Sequence, residues 1–190
     1  MSGVDALRDG LKNYFLVALP QMVDPYFSNS VTYICEHTES GAMGIVINHP
    51  LSLNLHQMFT HLNIQESSDH SWQPVVSGGP VQIDRGFVLH KSSKNRWEST
   101  LPISSDIYLT TSKDIIEDIA KDEGPPKSLI ALGFAGWGAG QLENELKSNA
   151  WITIPADPDI IFNTPYDQMA AAAAKKLGID LNLIAPAGHA

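Results

Sequence analysis

VTYICEHTESGAMGIVIN, residues 31–48, decides the fold class of this chain. Two β-rich runs flank a short TESG turn, in which Ser40 and Gly41 are residue types that close tight hairpins. Because a turn of four residues is too short for a crossover helix, the two runs must pair as antiparallel strands. This hairpin argues against a sheet built from parallel strands alone.

Further β-rich runs lie on both sides of this hairpin. A second hairpin is predicted within VVSGGPVQIDRGFVLH, residues 75–90, with one turn at SGGP and another at residues 84–86. The remaining predicted strands cover residues 14–19, 107–111, 129–134 and 151–154.

Helical patterns separate several of these strands. The apolar residues of LSLNLHQMFTHLNI, residues 51–64, follow helical spacing and predict a helix that starts near Ser52. Two more helices are predicted, with N-caps at Ser112 and Thr164. Strand and helix do not alternate regularly, so the sequence predicts an α+β fold with a largely antiparallel or mixed sheet.

The composition is that of a globular protein with an excess of acidic residues. A length of 190 residues fits one domain, predicted to span residues 1–190. Asp and Glu outnumber Lys and Arg by 21 to 12, and the net charge of −9 argues against direct nucleic-acid binding. The sequence shows no membrane span and no secretory signal, and its single cysteine suits a reducing compartment. We therefore expect a cytoplasmic protein with no membrane partner.

A glycine-rich stretch, GFAGWGAGQLENEL at residues 133–146, is the first candidate binding site. Glycines allow the backbone to approach a ligand closely, and a helix N-terminus suits an anion. A dinucleotide fingerprint is disfavoured, because Gln141 replaces its third glycine and Glu143 and Glu145 would repel a pyrophosphate. The favoured interpretation is a structural turn from strand to helix. The candidate binding residues in this stretch are Gly136, Trp137 and Gly138.

The SGGP turn is the second candidate binding site. Successive backbone N–H groups beside a serine hydroxyl can form an oxyanion nest, here from Ser77, Gly78 and Gly79. No G-x-S-x-G motif surrounds the serine. A turn whose glycines adopt positive φ is the favoured alternative.

Cys35 and a pair of aspartates suggest chemistry of their own. Cys35 would be a reactive thiol if His37 lay beside it on the same strand face, since an imidazolium lowers the pKa of a thiol. The alternative is a small buried hydrophobic residue. Asp157 and Asp159 suit acid–base catalysis or a divalent cation, with a capped turn as the favoured alternative.

Metals and cofactors are not expected. The seven histidines are spread along the chain without an H-E-x-x-H motif, and His56 and His61 fall on different faces of a helix. No G-K-[ST] sequence marks a P-loop. No catalytic residue is assigned from the sequence.

Several motifs occur in order across nearly the whole chain. They are YICEH from residue 33, GAMGIVINHP from 41, SGGPV from 77, LGFAGWGAGQLENEL from 132 and WITIPADPDIIF from 151. On these motifs the chain resembles the AlgH, or YqgE-like, family of bacterial proteins. The resemblance implies a mixed, largely antiparallel forked sheet that forms a partial barrel flanked by helices. The family is of unknown function, its members are described as transcriptional regulators, and it carries over no catalytic residue.

These observations lead to one functional expectation and one alternative. We expect a non-catalytic regulatory or binding protein whose small ligand or protein partner contacts residues 133–140 and the SGGP turn. Trp137 is the proposed anchor, because a large amphipathic side chain among glycines suits a contact surface. The alternative is a small enzyme that uses Cys35 as a thiol or Asp157 and Asp159 as carboxylates.

Overall fold

Ten strands and five α-helices form the part of the chain that this computed structural model describes, residues 10–183. The helices are α1 (Leu55–His61), α2 (Lys113–Ala120), α3 (Gln141–Lys147), α4 (Pro158–Asn163) and α5 (Met169–Lys175). The strands are β1 (Tyr14–Ala18), β2 (Val31–Thr38), β3 (Gly41–Val46), β4 (Pro50–Asn54), β5 (Pro74–Ser77), β6 (Val81–Lys91), β7 (Thr100–Pro102), β8 (Ile107–Thr110), β9 (Ser128–Gly138) and β10 (Trp151–Pro155).

All ten strands belong to one sheet that curls into half a barrel. Its main path runs β10-β1-β2-β3-β9-β6-β8-β7, and β4 joins this path through β5. Every pairing is antiparallel except the one between β5 and β9. The predicted α+β fold, with a mixed and largely antiparallel forked sheet, is confirmed.

The first predicted hairpin is confirmed as β2 and β3. Thr38 pairs with Gly41 across the turn. The register shifts between Ile34 and Glu36, so Cys35 is the extra residue of a β-bulge.

The fork of the sheet lies within β9. Its N-terminal half pairs in parallel with β5, through Val76 opposite Ala131, whereas its C-terminal half pairs with β3, through Met43 opposite Gly136. Gly133, between the two halves, has a φ of 80°, a left-handed conformation that glycine adopts without a steric penalty. The change of neighbour along β9 therefore occurs at Gly133.

The second predicted hairpin is wrong. β5 pairs with β4 and β9 and not with β6, because Gly78 and Gly79 carry the chain across β9 instead of turning it back. The turn predicted at residues 84–86 lies inside β6, where the register with β9 shifts between Val81 and Gly86.

α1 starts later than predicted, whereas α2 starts after Ser112 as predicted. Ser52 lies in β4, and α1 begins after Asn54, which forms a reciprocal capping box with Gln57 at two distances of 2.9 Å. Ser112 holds the N-cap position of α2, but its hydroxyl donates to Asp114 and makes no capping bond to the backbone.

The helix predicted from Thr164 begins later. Thr164 ends α4, a helix that was predicted only as a capped turn and that has Asp157 as its N-cap. Pro165 has a ψ of 144°, so the chain is extended there. A 3₁₀ turn over Tyr166–Gln168 follows, and the α-helix starts at Met169.

Three apolar clusters hold the fold together. The first includes Phe15, Tyr33 and Leu89 on the sheet, and the second packs α1 and α2 against the sheet. The third surrounds Trp137 and Trp151. Across residues 10–183, no helix combines the length and the apolar character that a bilayer crossing requires.

Candidate functional site

Backbone groups of the SGGP turn are hydrogen-bonded to neighbouring parts of the main chain. Ser77 N donates to His49 O and Gly78 N donates to Leu132 O, both at 2.8 Å, while Gly78 O accepts from Val46 N. A Cβ on Gly79 would lie 1.9 Å from the carbonyl carbon of Phe134. The N–H groups of Ser77 and Gly78 therefore donate to backbone carbonyls of the protein, and the proposed oxyanion nest is not available at these two residues.

Ser77 has one notable side-chain contact. Its hydroxyl is hydrogen-bonded to that of Tyr26, in the segment that precedes β2, and the ring of Tyr26 packs edge to face against His49 with centroids 6.3 Å apart. The hydroxyl of Ser77 thus ties this segment to the fork.

The glycine-rich stretch is a strand for most of its length. Gly136 pairs with Met43 and Gly138 with Gly41, so the strand continues four residues beyond its predicted end at residue 134. Gly140, in the left-handed conformation with a φ of 76°, then starts α3. The predicted strand-to-helix turn is present, but Gly136 and Gly138 belong to the sheet.

Trp137 is buried in the third apolar cluster. Only 6% of its surface is exposed, and its ring packs against Phe27 and Trp151. Its indole N–H donates to Glu145 Oε1 at 3.1 Å, and the indole of Trp151 donates to the same oxygen at 2.9 Å. The proposed contact-surface role of Trp137 is contradicted, because the side chain is already packed and hydrogen-bonded within the protein.

Cys35 is also buried, with 1% of its surface exposed. Burial raises the pKa of its thiol far above the ordinary value, and Sγ contacts the carbonyl of Tyr33 at 3.8 Å. His37 does not activate it, because that ring accepts from Leu11 N at 2.9 Å and contacts Glu143 Oε1 at 2.6 Å. The reactive-thiol hypothesis requires a lowered pKa and access to solvent, and the structure shows the opposite of both.

We expect iodoacetamide to modify native Cys35 at pH 7.5 at least about a hundredfold more slowly than the unfolded protein. The physical reason is that the buried thiol stays protonated and becomes accessible only when the chain opens. Mass spectrometry of timed samples measures the rate. A Cys35→Ser/Ser105→Cys variant, with its thiol at an exposed position, is the matched control and should react rapidly. Equal rates for wild type and this control would restore the reactive-thiol hypothesis.

The two aspartates stabilise the ends of α4. Asp157 accepts from Asp159 N at 2.9 Å as the helix N-cap and from Lys176 Nζ at 2.7 Å. The hydrogen bond from Lys176 holds the pKa of Asp157 below its ordinary value. Asp159 accepts from Asn163 at 2.7 Å. An acid–base pair needs one carboxyl that stays protonated near neutral pH, and the contacts of Asp157 disfavour this.

The structure contains an open cleft of about 750 Å³. Three segments form its walls, residues 70–74, residues 119–129 and residues 161–169. None of the candidate binding residues in the SGGP turn or the glycine-rich stretch lines it. Its volume lies within the range of about 300–1,000 Å³ that is usual for small-molecule sites.

The cleft combines aromatic surface with hydrogen-bonding groups. Trp72, one of the lining residues, is 73% exposed, and burial of Tyr166, another lining residue, raises the pKa of that phenol. Within residues 10–183, Lys127 is the only lysine or arginine that lines the cleft. The other polar lining groups include Gln73, Ser128, Asn163 and Thr164.

A buried histidine fixes one wall of the cleft. The side chain of His70 is 5% exposed, with Nδ1 at 2.9 Å from Glu66 Oε2 and Nε2 at 3.0 Å from Asp122 Oδ1. Both contacts are hydrogen bonds when both ring nitrogens carry a proton, since carboxylates only accept. His70 thereby joins the segment before β5 to the turn that follows α2.

Residues that can hold a metal lie behind this histidine. The ligand atoms of His56, Glu66 and Asp69 are all within 4.8 Å of one another. The sequence-based prediction missed both this group and the cleft. The sequence did contain a signal for them. Trp72 lies in the polar segment SSDHSWQ, residues 67–73, close to Glu66, Asp69 and His70, and a tryptophan in a polar segment can be exposed.

Comparison with known proteins gives consistent matches. A family model described as AlgH-like matches residues 15–182. A UPF0301 protein of Thioalkalivibrio sulfidiphilus is 55% identical over 179 residues, which cover 94% of this chain and 96% of that protein. The solution structure of the AlgH protein from Pseudomonas aeruginosa matches with a TM-score of 0.80 and 49% identity, covering 95% of this chain and 96% of that one.

A more distant structure shares the fold. The crystal structure of protein DIP2367 from Corynebacterium diphtheriae has a TM-score of 0.73 at 19% identity, over 92% of this chain and 91% of that one. With the matching family model and the close relatives, these results confirm the resemblance seen in the motifs, and the chain belongs to the AlgH-like, UPF0301 family.

Proposed function

We propose that this protein is a non-catalytic binding protein that holds a small ligand in the cleft between residues 70–74, 119–129 and 161–169. The observation that carries the proposal is the exposed indole of Trp72 in the lining of a cleft of about 750 Å³. An exposed aromatic ring beside a concave, partly polar surface is typical of a site where a ligand ring stacks. A regulatory role would follow from occupancy of this cleft.

The polar groups of the cleft favour a ligand that carries an acidic group. Lys127 supplies a positive charge, and Asp122, the acidic residue of the lining, contacts His70. Asn163 has a second side-chain N–H besides the one that it donates to Asp159, whereas the hydroxyl of Thr164 already donates to Asp159 O. The proposed ligand class is therefore a small molecule with an aromatic or apolar ring and a carboxylate or similar anion.

A binding role is favoured over catalysis by where the candidate chemical groups lie. Cys35, Asp157 and Asp159 are absent from the residues that line the cleft. Each also has a packing or capping role elsewhere in the fold. The net charge of −9 supports a partner other than nucleic acid. A reduced, buried single cysteine supports a cytoplasmic location.

The fluorine resonance of a labelled Trp72 can detect a ligand in the cleft. The chain has four tryptophans, and Trp72 is 73% exposed whereas the other three are at most 7% exposed. In protein labelled with 5-fluorotryptophan, we expect aromatic carboxylic acids that bind the cleft to shift the ¹⁹F resonance of Trp72 and leave the other three in place. A Trp72→Phe variant assigns that resonance.

Two lysine variants test the contribution of the cleft. Lys127→Ala should weaken binding of the best acid about tenfold or more, since it removes a charge-assisted hydrogen bond. Lys94→Ala, an exposed lysine outside the cleft, should leave the affinity unchanged. The proposal is rejected if a broad library of aromatic acids never shifts Trp72, or if both variants weaken binding equally.

A further inference from the structure

A group of metal-ligand side chains lies between α1 and the segment that precedes β5. His56 is near the start of α1, while Glu66 and Asp69 follow in the loop. Their ligand atoms are all within 4.8 Å of one another. We propose that His56, Glu66 and Asp69 bind a divalent transition-metal ion.

The donor set decides which ions fit. One imidazole nitrogen and two carboxylates are the ligands that Zn²⁺ and Mn²⁺ accept, whereas Ca²⁺ and Mg²⁺ prefer oxygen alone. Three protein ligands also leave coordination positions for water. This composition selects zinc or manganese over the alkaline-earth ions.

The helix and its cap hold His56 in position. The reciprocal bonds between Asn54 and Gln57 fix the first turn of α1, and His56 lies inside that turn. Its side chain is 50% exposed, so solvent and ions reach the ring. Nδ1 of His56 faces Glu66 Oε1, and a bound cation would replace that hydrogen bond.

Glu66 is held by a second histidine. Its side chain is 15% exposed, and its Oε2 accepts from both the ring and the backbone N–H of His70, at 2.9 Å and 3.2 Å. His70 in turn contacts Asp122. A carboxylate ligand that is itself oriented by hydrogen bonds is typical of protein metal sites, where such partners strengthen binding.

The charge of the group also favours a cation. Glu66 and Asp69 place two carboxylates in this group, in a protein whose net charge is already −9. A divalent ion compensates them. This inference does not depend on a ligand in the cleft.

Metal binding is measured on the full chain after treatment with EDTA. We expect Mn²⁺ to bind at one site per chain and Zn²⁺ to displace it. Binding is measured as the decrease in the electron paramagnetic resonance signal of free Mn²⁺. His56→Ala and Asp69→Asn should each lower the affinity more than about tenfold. His61→Ala, which removes an exposed histidine of the same helix outside the group, should leave the affinity unchanged.

Thermal unfolding separates loss of the site from loss of the fold. His56→Ala should keep the wild-type Tm without metal, since that side chain is half exposed, but should lose the rise in Tm that Zn²⁺ gives the wild type. The proposal is overturned if Mn²⁺ binding does not saturate, if His56→Ala binds with wild-type affinity, or if His61→Ala loses as much.

Discussion

Gly79→Ala is expected to leave the protein unfolded at 25 °C. The added Cβ would lie 1.9 Å from the carbonyl carbon of Phe134, 2.0 Å from its oxygen and 2.3 Å from Ala135 N. These atoms belong to the backbone of β9, so no side-chain rotation relieves the clash. We expect a loss above about 4 kcal/mol, a large fraction of the roughly 5–15 kcal/mol that stabilises a typical domain. Circular dichroism and urea unfolding measure it.

Gly86→Ala is the matched control for this substitution. A Cβ at Gly86 meets nothing within 4 Å, although this glycine lies in β6 and pairs with the same strand, β9. We expect its free energy of unfolding to stay within about 0.5 kcal/mol of wild type. A Gly79→Ala protein with near-native stability would show that the crossing of SGGP over β9 is looser than the structure indicates.

The crossing of the SGGP segment over β9 is a feature that could not be predicted from the sequence. The β2–β3 hairpin was predictable because its turn residues and both strands are adjacent in the chain. Gly78 and Gly79 carry the same local signal for a turn, yet they cross a strand that lies far along the chain. Only the tertiary contact with Phe134 distinguishes a crossing from a hairpin turn, and composition does not encode it.

The arrangement of β4 and β5 was missed for a related reason. β4 has no fully buried residue, and its residues 52–54 were assigned to the predicted helix, while β5 was predicted only within the second hairpin. β5 is defined by its parallel pairing with β9, a contact between residues distant in sequence. Local patterns therefore missed β4 and gave β5 the wrong neighbour in the sheet.

The candidate sites were less predictable than the fold. The sequence-based search favoured glycine-rich segments, but the cleft is assembled from three segments that carry no shared motif. His56 was compared with His61 at helical spacing, whereas its neighbours in space are Glu66 and Asp69 beyond the end of the helix. Such a site depends on how the loop after a helix folds back against that helix, and the apolar periodicity of the sequence carries no information about this.

Trp137→Ala is expected to cost about 3–5 kcal/mol of stability, as is usual when a buried aromatic side chain is truncated. The ring is 6% exposed and fills the space between Phe27 and Trp151. The substitution leaves a cavity and removes one of the two hydrogen bonds to Glu145 Oε1. The hydrogen bond from the indole of Trp151 to that oxygen remains. Urea unfolding at neutral pH measures the change.

A second tryptophan and a smaller substitution separate packing from hydrogen bonding. Trp72→Ala, at a side chain 73% exposed, should change the free energy of unfolding by less than about 0.5 kcal/mol. Trp137→Phe retains an aromatic ring and loses the indole N–H, so its cost should fall between the two. If Trp137→Ala were as stable as Trp72→Ala, the burial of Trp137 would not contribute to the core, and its role as the anchor of a partner contact would return. A large loss at Trp137 with none at Trp72 assigns the first to the fold and leaves the second free to serve the cleft.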